Sequence, residues 1–282
     1  MKLVTTISEL RALLAEARHA GRTIGLVPTM GALHEGHLSL VRAAKAQTDF
    51  VVVSLFVNPL QFGPKEDLAK YPRNLEHDRE LLEQEGAHVL FAPAVEEMYP
   101  AGAVTYVTVE ALSQRLDGVS RPGHFRGVTT VVAKLFHIVE PSRAYFGQKD
   151  SAQHAILRRM VRDLNFPVEI VVCPIVREPD GLALSSRNAY LNGSERQQAL
   201  ILSRTLRQMR EHFANGEHDA AKLIASGQSF LASKPGARLD YLAIVDPDTL
   251  EPVTRITQPT LVAIAAWVGS TRLIDNVVLS PG

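Results

Sequence analysis

The sequence is short of the features that mark a secreted, nucleic-acid-binding or membrane protein. Of its 282 residues one is cysteine, Cys173, so no internal disulfide can form. Cys173 ends the apolar run 168–173, where a buried thiol in the core is the expected outcome. Net charge is missing too: 30 Lys and Arg balance 30 Asp and Glu, which leaves no field to draw a nucleic acid or an anionic membrane surface. A small anionic ligand stays open, since it needs a local pocket and not a charged face. No apolar stretch reaches bilayer-spanning length, and Met1-Lys2-Leu3-Val4-Thr5-Thr6 lacks an apolar signal core, so a cytoplasmic protein is expected. Repeats and low-complexity tracts are absent. What is present is an ordinary globular composition, 46% hydrophobic and 21% charged, in a chain long enough for one large core or a domain plus a smaller one.

Through the first two-thirds, short β-rich runs alternate with helical patterns, the rhythm of a parallel sheet flanked by helices. Strands are predicted over 23–27, ending at Pro28, and over 50–57, 89–91, 144–146 and 168–172. Helical spacing covers 38–46, 75–85, 128–139 and 152–163. Beyond Val176 two helical stretches, 194–215 and 219–232, precede three β-rich segments, 239–245, 260–268 and 272–278. The fold class is therefore α/β: a doubly wound, Rossmann-like parallel sheet with a smaller C-terminal α+β domain. The sheet domain is expected over 1–176 and a lid domain over 177–282, with Arg177-Glu178-Pro179-Asp180-Gly181 as the hinge.

Three segments carry chemistry. Pro28-Thr29-Met30-Gly31-Ala32-Leu33-His34-Glu35-Gly36-His37 follows the first strong strand and opens a helix, where free backbone N–H groups and the positive helix end favour phosphate. His34 and His37, three apart, share one face of a helical turn and can reach one phosphate chain together. A zinc pair would lack a third ligand at suitable spacing. Phe146-Gly147-Gln148-Lys149-Asp150 lies at the end of another strand. There Lys149 can neutralise phosphate, while Asp150 can accept from a ribose hydroxyl or cap the next helix. Leu184-Ser185-Ser186-Arg187-Asn188, just past the hinge, is a donor-rich loop suited to closing over a triphosphate, or else simply a polar loop.

His34-Glu35-Gly36-His37 together with 184–187 resembles the paired signatures of the nucleotidyltransferase superfamily. The full string 28–37 resembles the pantothenate synthetase family, as do Phe56-Val57-Asn58-Pro59-Leu60-Gln61-Phe62-Gly63, Tyr71-Pro72-Arg73, Arg121-Pro122-Gly123-His124-Phe125-Arg126-Gly127-Val128, Gly147 to Asp150 and Ser185 to Asn188. These motifs keep their order across nearly the whole chain. The resemblance implies an ATP-dependent ligase that joins pantoate to β-alanine through a pantoyl adenylate, releasing pyrophosphate and AMP. ATP would be a substrate, Mg2+ would accompany it, and the chain would form a homodimer without nucleic-acid or membrane partners.

Residue by residue, the resemblance places Met30, Gly31, Ala32, Leu33, His34, Glu35, Gly36 and His37 at ATP, with His37, His34 and Lys149 serving the departing pyrophosphate. Gly147, Gln148, Lys149, Asp150, Val176, Leu184, Ser185, Ser186 and Arg187 would contact the nucleotide. Gln61 and Gln153 would hold pantoate, Met30 and Phe62 would pack on its methyl groups, and Asn58 and Arg121 would support them. The metal ligands stay unassigned; Asp78 is either a water-mediated magnesium contact or a solvated helix residue. Departures from the family pattern are Leu184 for methionine, Gln148 for glutamate, His137 for asparagine, and the small Ser151-Ala152. The alternative is an adenylyltransferase that keeps AMP on its product.

Overall fold

The computed structural model describes residues 1–64, 66, 68–233 and 235–281. Its larger sheet contains β1 (Lys2–Val4), β2 (Ile24–Thr29), β3 (Phe50–Leu55), β4 (Val89–Phe91), β5 (Arg143–Gly147) and β6 (Glu169–Cys173). All neighbours are parallel, in the order β1-β4-β3-β2-β5-β6. The connecting helices are α1 (Ile7–His19), α2 (Glu35–Gln47), α3 (Leu75–Glu85), the single turns α4 (Val95–Met98) and α5 (Asp117–Ser120), α6 (His124–Val139) and α7 (Ser151–Asp163). Helices cover both faces of the sheet, so its central strands read as unbroken apolar runs; in β3, Val51, Val52 and Val53 are wholly buried.

The chain leaves β2 toward β3 on one side and returns later to β5 on the other, which puts the switch point between β2 and β5. These two strands pair only through Gly25–Arg143 and Leu26–Ala144, then part. The expected strand end at Pro28 is corrected here. Pro28 stays in register with Ser54 of β3, and because the β2–β5 ladder has already ended, its missing N–H removes no rung on that side. The parting strands open the crevice that holds the site.

The C-terminal part contains α8 (Gly193–Ala214), α9 (Ala220–Ala232) and an antiparallel sheet β7 (Ala237–Val245), β8 (Thr260–Val268), β9 (Thr271–Leu279) in that order. Alternation along β8 serves two cores. Val262, Ile264 and Ala266 pack with Leu202, Leu206 and Met209 of α8, while Leu261 and Ala263 join the core of the larger sheet. Among the described residues no helix is long and apolar enough to cross a membrane. Cys173 is buried, as its apolar run implied, and burial raises its thiol pKa.

His154, on α7, is 3% exposed, and neither ring nitrogen has a hydrogen-bond partner among the described residues. Burial, helped by the Arg158 guanidinium, lowers its pKa to about 4. The folded protein therefore keeps this ring neutral, whereas the unfolded chain takes up a proton below about 6.5, so this contribution to stability is lost progressively as pH falls from there toward 4. A His154→Leu variant lacks that loss. Its stability advantage over the parent is expected to be roughly 2 kcal/mol larger at pH 5 than at pH 8, read from urea unfolding at the two pH values. An advantage that does not change with pH would contradict the assignment.

Candidate active site

The β2–α2 connection is shaped by backbone conformation and one buried acid. Gly31 has φ +82° and Ala32 φ +51°, so the chain turns through the left-handed region twice. Asp78 of α3, 1% exposed, accepts from Ala32 N (2.9 Å) through one carboxylate oxygen and from Leu33 N (2.8 Å) through the other. Both alternatives for Asp78 give way: it is neither solvated nor directed at the cleft, because its oxygens hold the loop. Burial nonetheless raises its pKa. Those two N–H groups are thereby withdrawn from any phosphate.

The two histidines form a capping box at the start of α2. His34 is the N-cap, with its Nδ1 accepting from Gly36 N at 3.1 Å. His37 is the third residue of the helix, and its Nδ1 accepts from His34 N at 3.3 Å. The ring centroids are 4.1 Å apart. An imidazole nitrogen that accepts from a backbone N–H carries no proton, so in both neutral rings the proton sits on Nε2. Burial and the Lys149 ammonium bring the His34 pKa to about 4, and burial, with His34 and Lys149, lowers that of His37 well below the usual value. The pair thus offers uncharged N–H donors over the whole neutral range.

These rings line a cleft of about 220 Å³ whose walls come from widely separated parts of the chain. Met30, His34, Gly36 and His37 line it together with Gly147, Lys149, Asp150 and Gln153 and with Val176, Leu184, Ser185, Ser186 and Arg187, while the buried Asn58 and Gln61 form its inner end. Asp150 begins α7 but makes no side-chain cap, which leaves its carboxylate available to a ligand. Ser185 caps the short turn Ser186–Tyr190 by accepting from Arg187 N at 3.3 Å.

Gln61 is oriented by a buried relay. Tyr99 donates to Asn58 Oδ1 (2.9 Å), and Asn58 Nδ2 donates to Gln61 Oε1 (3.1 Å) and Gly127 O (3.0 Å). The Gln61 amide must then turn its nitrogen toward Met30, with Sδ at 2.9 Å. Arg121 works on the same turn from behind. It grips Glu66 through two bonds of 2.8 and 2.6 Å and reaches Gln61 O at 3.3 Å. His124 also donates to Gln61 O, at 2.8 Å. Arg121 and His124 border a smaller pocket of about 70 Å³, too small for a nucleotide, that shares Lys149, Asp150, Gln153, Ser185 and Arg187 with the cleft.

Several expected contacts fall outside the cleft. Ala32 and Leu33 turn their N–H groups to Asp78, Glu35 pairs with Arg42 at the surface, and Gln148 bonds Asn276. Phe62 packs edge-on against Tyr71, 5.9 Å between centroids, and does not line the cleft. The apolar wall is supplied by Val128, Val131, Val132 and Leu135 of α6, whose spacing is visible in the sequence as an amphipathic stripe but carries no sign of a site. His137 is exposed, its ring tilted against that of Phe166 at 5.1 Å between centroids, and it does not line the cleft.

No group of three or more His, Cys, Asp or Glu suited to a metal occurs among the described residues. Asp150 is the one carboxylate among the described cleft residues. Such a donor set suits a magnesium ion that arrives on the phosphates and keeps most of its waters, and not one held by a protein-built cage.

The model of the family described as pantoate-beta-alanine ligase matches residues 2–278. A protein from Acidobacterium capsulatum named pantothenate synthetase is 62% identical, covering 99% of this chain and 97% of its own length. One of the same name from Moorella thermoacetica is 59% identical over 99% of both chains. The crystal structure of pantothenate synthetase from Thermus thermophilus superposes with a TM-score of 0.95 at 51% identity, over all of both chains. That of the Francisella tularensis pantoate-beta-alanine ligase, complexed with beta-gamma ATP and beta-alanine, has a TM-score of 0.80 at 34% identity, covering 99% and 97%.

Proposed function

Because the chain belongs to the pantoate-beta-alanine ligase family and is an enzyme of pantothenate formation, we propose that it works through a pantoyl adenylate. In the first step the pantoate carboxylate attacks the α-phosphorus of ATP, forming a P–O bond as the bond to the β-phosphate oxygen breaks and pyrophosphate leaves. In the second, the amine of β-alanine attacks the acyl carbonyl, loses a proton and expels AMP. The observation that carries this reading is the pair of imidazoles whose Nδ1 atoms are taken by backbone N–H groups, which leaves Nε2–H as the donor of each, in one cleft with Lys149, Arg187 and two glutamines.

Each group has a task within that scheme. Neutral N–H donors and the Lys149 and Arg187 cations stabilise charge that grows on the departing phosphates, which is the main demand of phosphoryl transfer. His37 and His34 act by hydrogen bonding and not as charged acids, since their Nδ1 atoms are committed and their pKa values lowered. Gln61 and Gln153 hold pantoate through uncharged amides, and the valines of α6 receive its methyl groups. Asn58 positions the Gln61 side chain and Arg121 its carbonyl. Asp150, the carboxylate among the described cleft residues, would be the side chain next to a magnesium ion carried by the triphosphate, which would supply charge neutralisation there. The mixed anhydride must be kept from water. The loop 184–187, part of the cleft lining and carried by the C-terminal unit 177–282, serves that purpose. We further propose a cytoplasmic homodimer.

The test is ATP–pyrophosphate exchange measured against a panel of small hydroxy acids without amine. Exchange driven by pantoate alone is the expected result; none with pantoate, in protein that binds ATP, would refute the adenylate. Free AMP released only when β-alanine is added separates the ligase from an adenylyltransferase.

A further inference from the structure

Strand β9 brings two adjacent buried polar residues, Asp275 (3% exposed) and Asn276 (1%), against segments that flank the cleft. Asn276 Nδ2 donates to Gln148 O and to Lys149 O, both at 2.9 Å. Its Oδ1 accepts from Gln148 Nε2 at 3.0 Å, and its backbone N–H donates to its neighbour Asp275 at 2.8 Å. Asp275 meets Arg177 through two bonds of 2.7 and 2.9 Å. Arg177 in turn bridges to Ala183, immediately before the loop 184–187. Consecutive side chains of one strand therefore hold the backbone at Lys149 and the segment leading into the loop 184–187, from a sheet that supplies none of the cleft lining.

We propose that Asn276 is a positioning residue for the nucleotide site, fixing the peptide planes on either side of Lys149 through its pairing with Gln148. Resting as it does on the ATP-site role of Lys149, this assignment extends the function proposed above. The geometry is specific to a carboxamide. One end must donate twice, to two carbonyls, while the other accepts from an amide, and neither aspartate nor leucine can do both. In a trans peptide the N–H points opposite to the preceding C=O. Turning Gln148 O onto Asn276 therefore aims Lys149 N–H away from β9, and that N–H has no acceptor among the described residues. The clasp thus sets one backbone donor and the root of one ammonium together. It also gives Gln148, a departure from the family's glutamate, a partner matched to an amide.

Asn276→Ala removes two donors and leaves the carbonyls unpaired; Asn276→Asp sets a carboxylate against them, so the peptide planes must turn away. Binding of a non-hydrolysable ATP analogue and of pantoate is measured separately by calorimetry, with thermal unfolding alongside. The dissociation constant for the analogue is expected to rise about tenfold in Asn276→Asp and by less in Asn276→Ala, with pantoate binding within about twofold of the parent. Gln148→Ala, which loses only the accepted bond, provides a milder variant should Asn276→Asp fail to fold, and a rise of severalfold is expected. Unchanged analogue binding in folded variants overturns the proposal, as does an equal loss of both ligands, which would mark a merely structural residue. Since binding is read without turnover, failure of pantoate-driven exchange in the parent would strike the ligase mechanism and leave this comparison standing.

Discussion

Replacing His37 with alanine is expected to slow pantoate-driven ATP–pyrophosphate exchange by about 10²–10³-fold, the cost of removing one preorganised donor from a site of developing negative charge. The fold should survive. His37 sits at the third position of α2, and its loss breaks one arm of the capping box, worth about 1 kcal/mol. Glutamine at this position is a natural partner in a capping box. His37→Gln should therefore recover the stability while exchange remains at least tenfold slow, because its amide does not place a donor where the imidazole Nε2 lies. The pH profile sharpens the argument. His37 is held neutral by burial, with its Nδ1 occupied by His34 N, so its donor is present on both sides of pH 6.5. Exchange in the parent should show no limb near that pH that vanishes in the variant. A parental rate in His37→Ala, or such a limb, would remove His37 from the chemistry.

Elements whose punctuation is local are the legible ones. Helix α3 reads from sequence at its observed bounds because Asn74 caps one end and Gly86, with φ +72°, ends the other. Strands β4 and β8 read at theirs because their apolar runs are uninterrupted. By contrast β1 and α1 escape the pattern reading. The strand is three residues long, at the edge of the sheet, yet Thr6 and Glu9 already spell the helix start that the structure uses. Pro28 misleads in the other direction, since its effect depends on where a neighbouring ladder stops.

The same division holds in the site. The cleft gathers His34, His37, Lys149, Gln61, Gln153 and Arg187 from distant segments, and each stands in a motif whose residue types suit phosphate or a hydroxy acid. What sequence could not supply is how the polar atoms are shared out. Asp78 faces the loop backbone, Gln148 faces Asn276 across 128 positions, and Arg121 faces Glu66 across 55. Each of these groups could equally have met a ligand, and only the closure of distant chain segments decides which does. Phe62 shows the converse. Its neighbour Gln61 enters the cleft while the ring turns to Tyr71.

Gly127→Ala offers the most direct test of how the pantoate end is built. Helix α6 crosses the turn Pro59–Gln61 with no side chain between them. A Cβ at residue 127 would lie 2.3 Å from Leu60 O, 2.4 Å from Leu60 C and 2.6 Å from Gln61 N, all backbone atoms that no rotamer change can move. Alanine gains up to ~1 kcal/mol of helix propensity, but overpacking against backbone costs at the upper end of ~1–3 kcal/mol or beyond, so the clash wins. The melting temperature should drop by roughly 4–8 °C. More tellingly, the turn must shift, carrying Gln61 with it and pulling Gly127 O from the Asn58 amide that orients Gln61. The KM for pantoate is expected to rise about a hundredfold, as misplacement of a binding group by an ångström implies, while an ATP analogue binds within a few-fold of the parent. Gly193→Ala, at the first residue of α8 with nothing within 4 Å, should leave both quantities unchanged. If Gly127→Ala behaved like Gly193→Ala, the inner end of the cleft would be compliant, and the orientation of Gln61 would not depend on the approach of these two backbones.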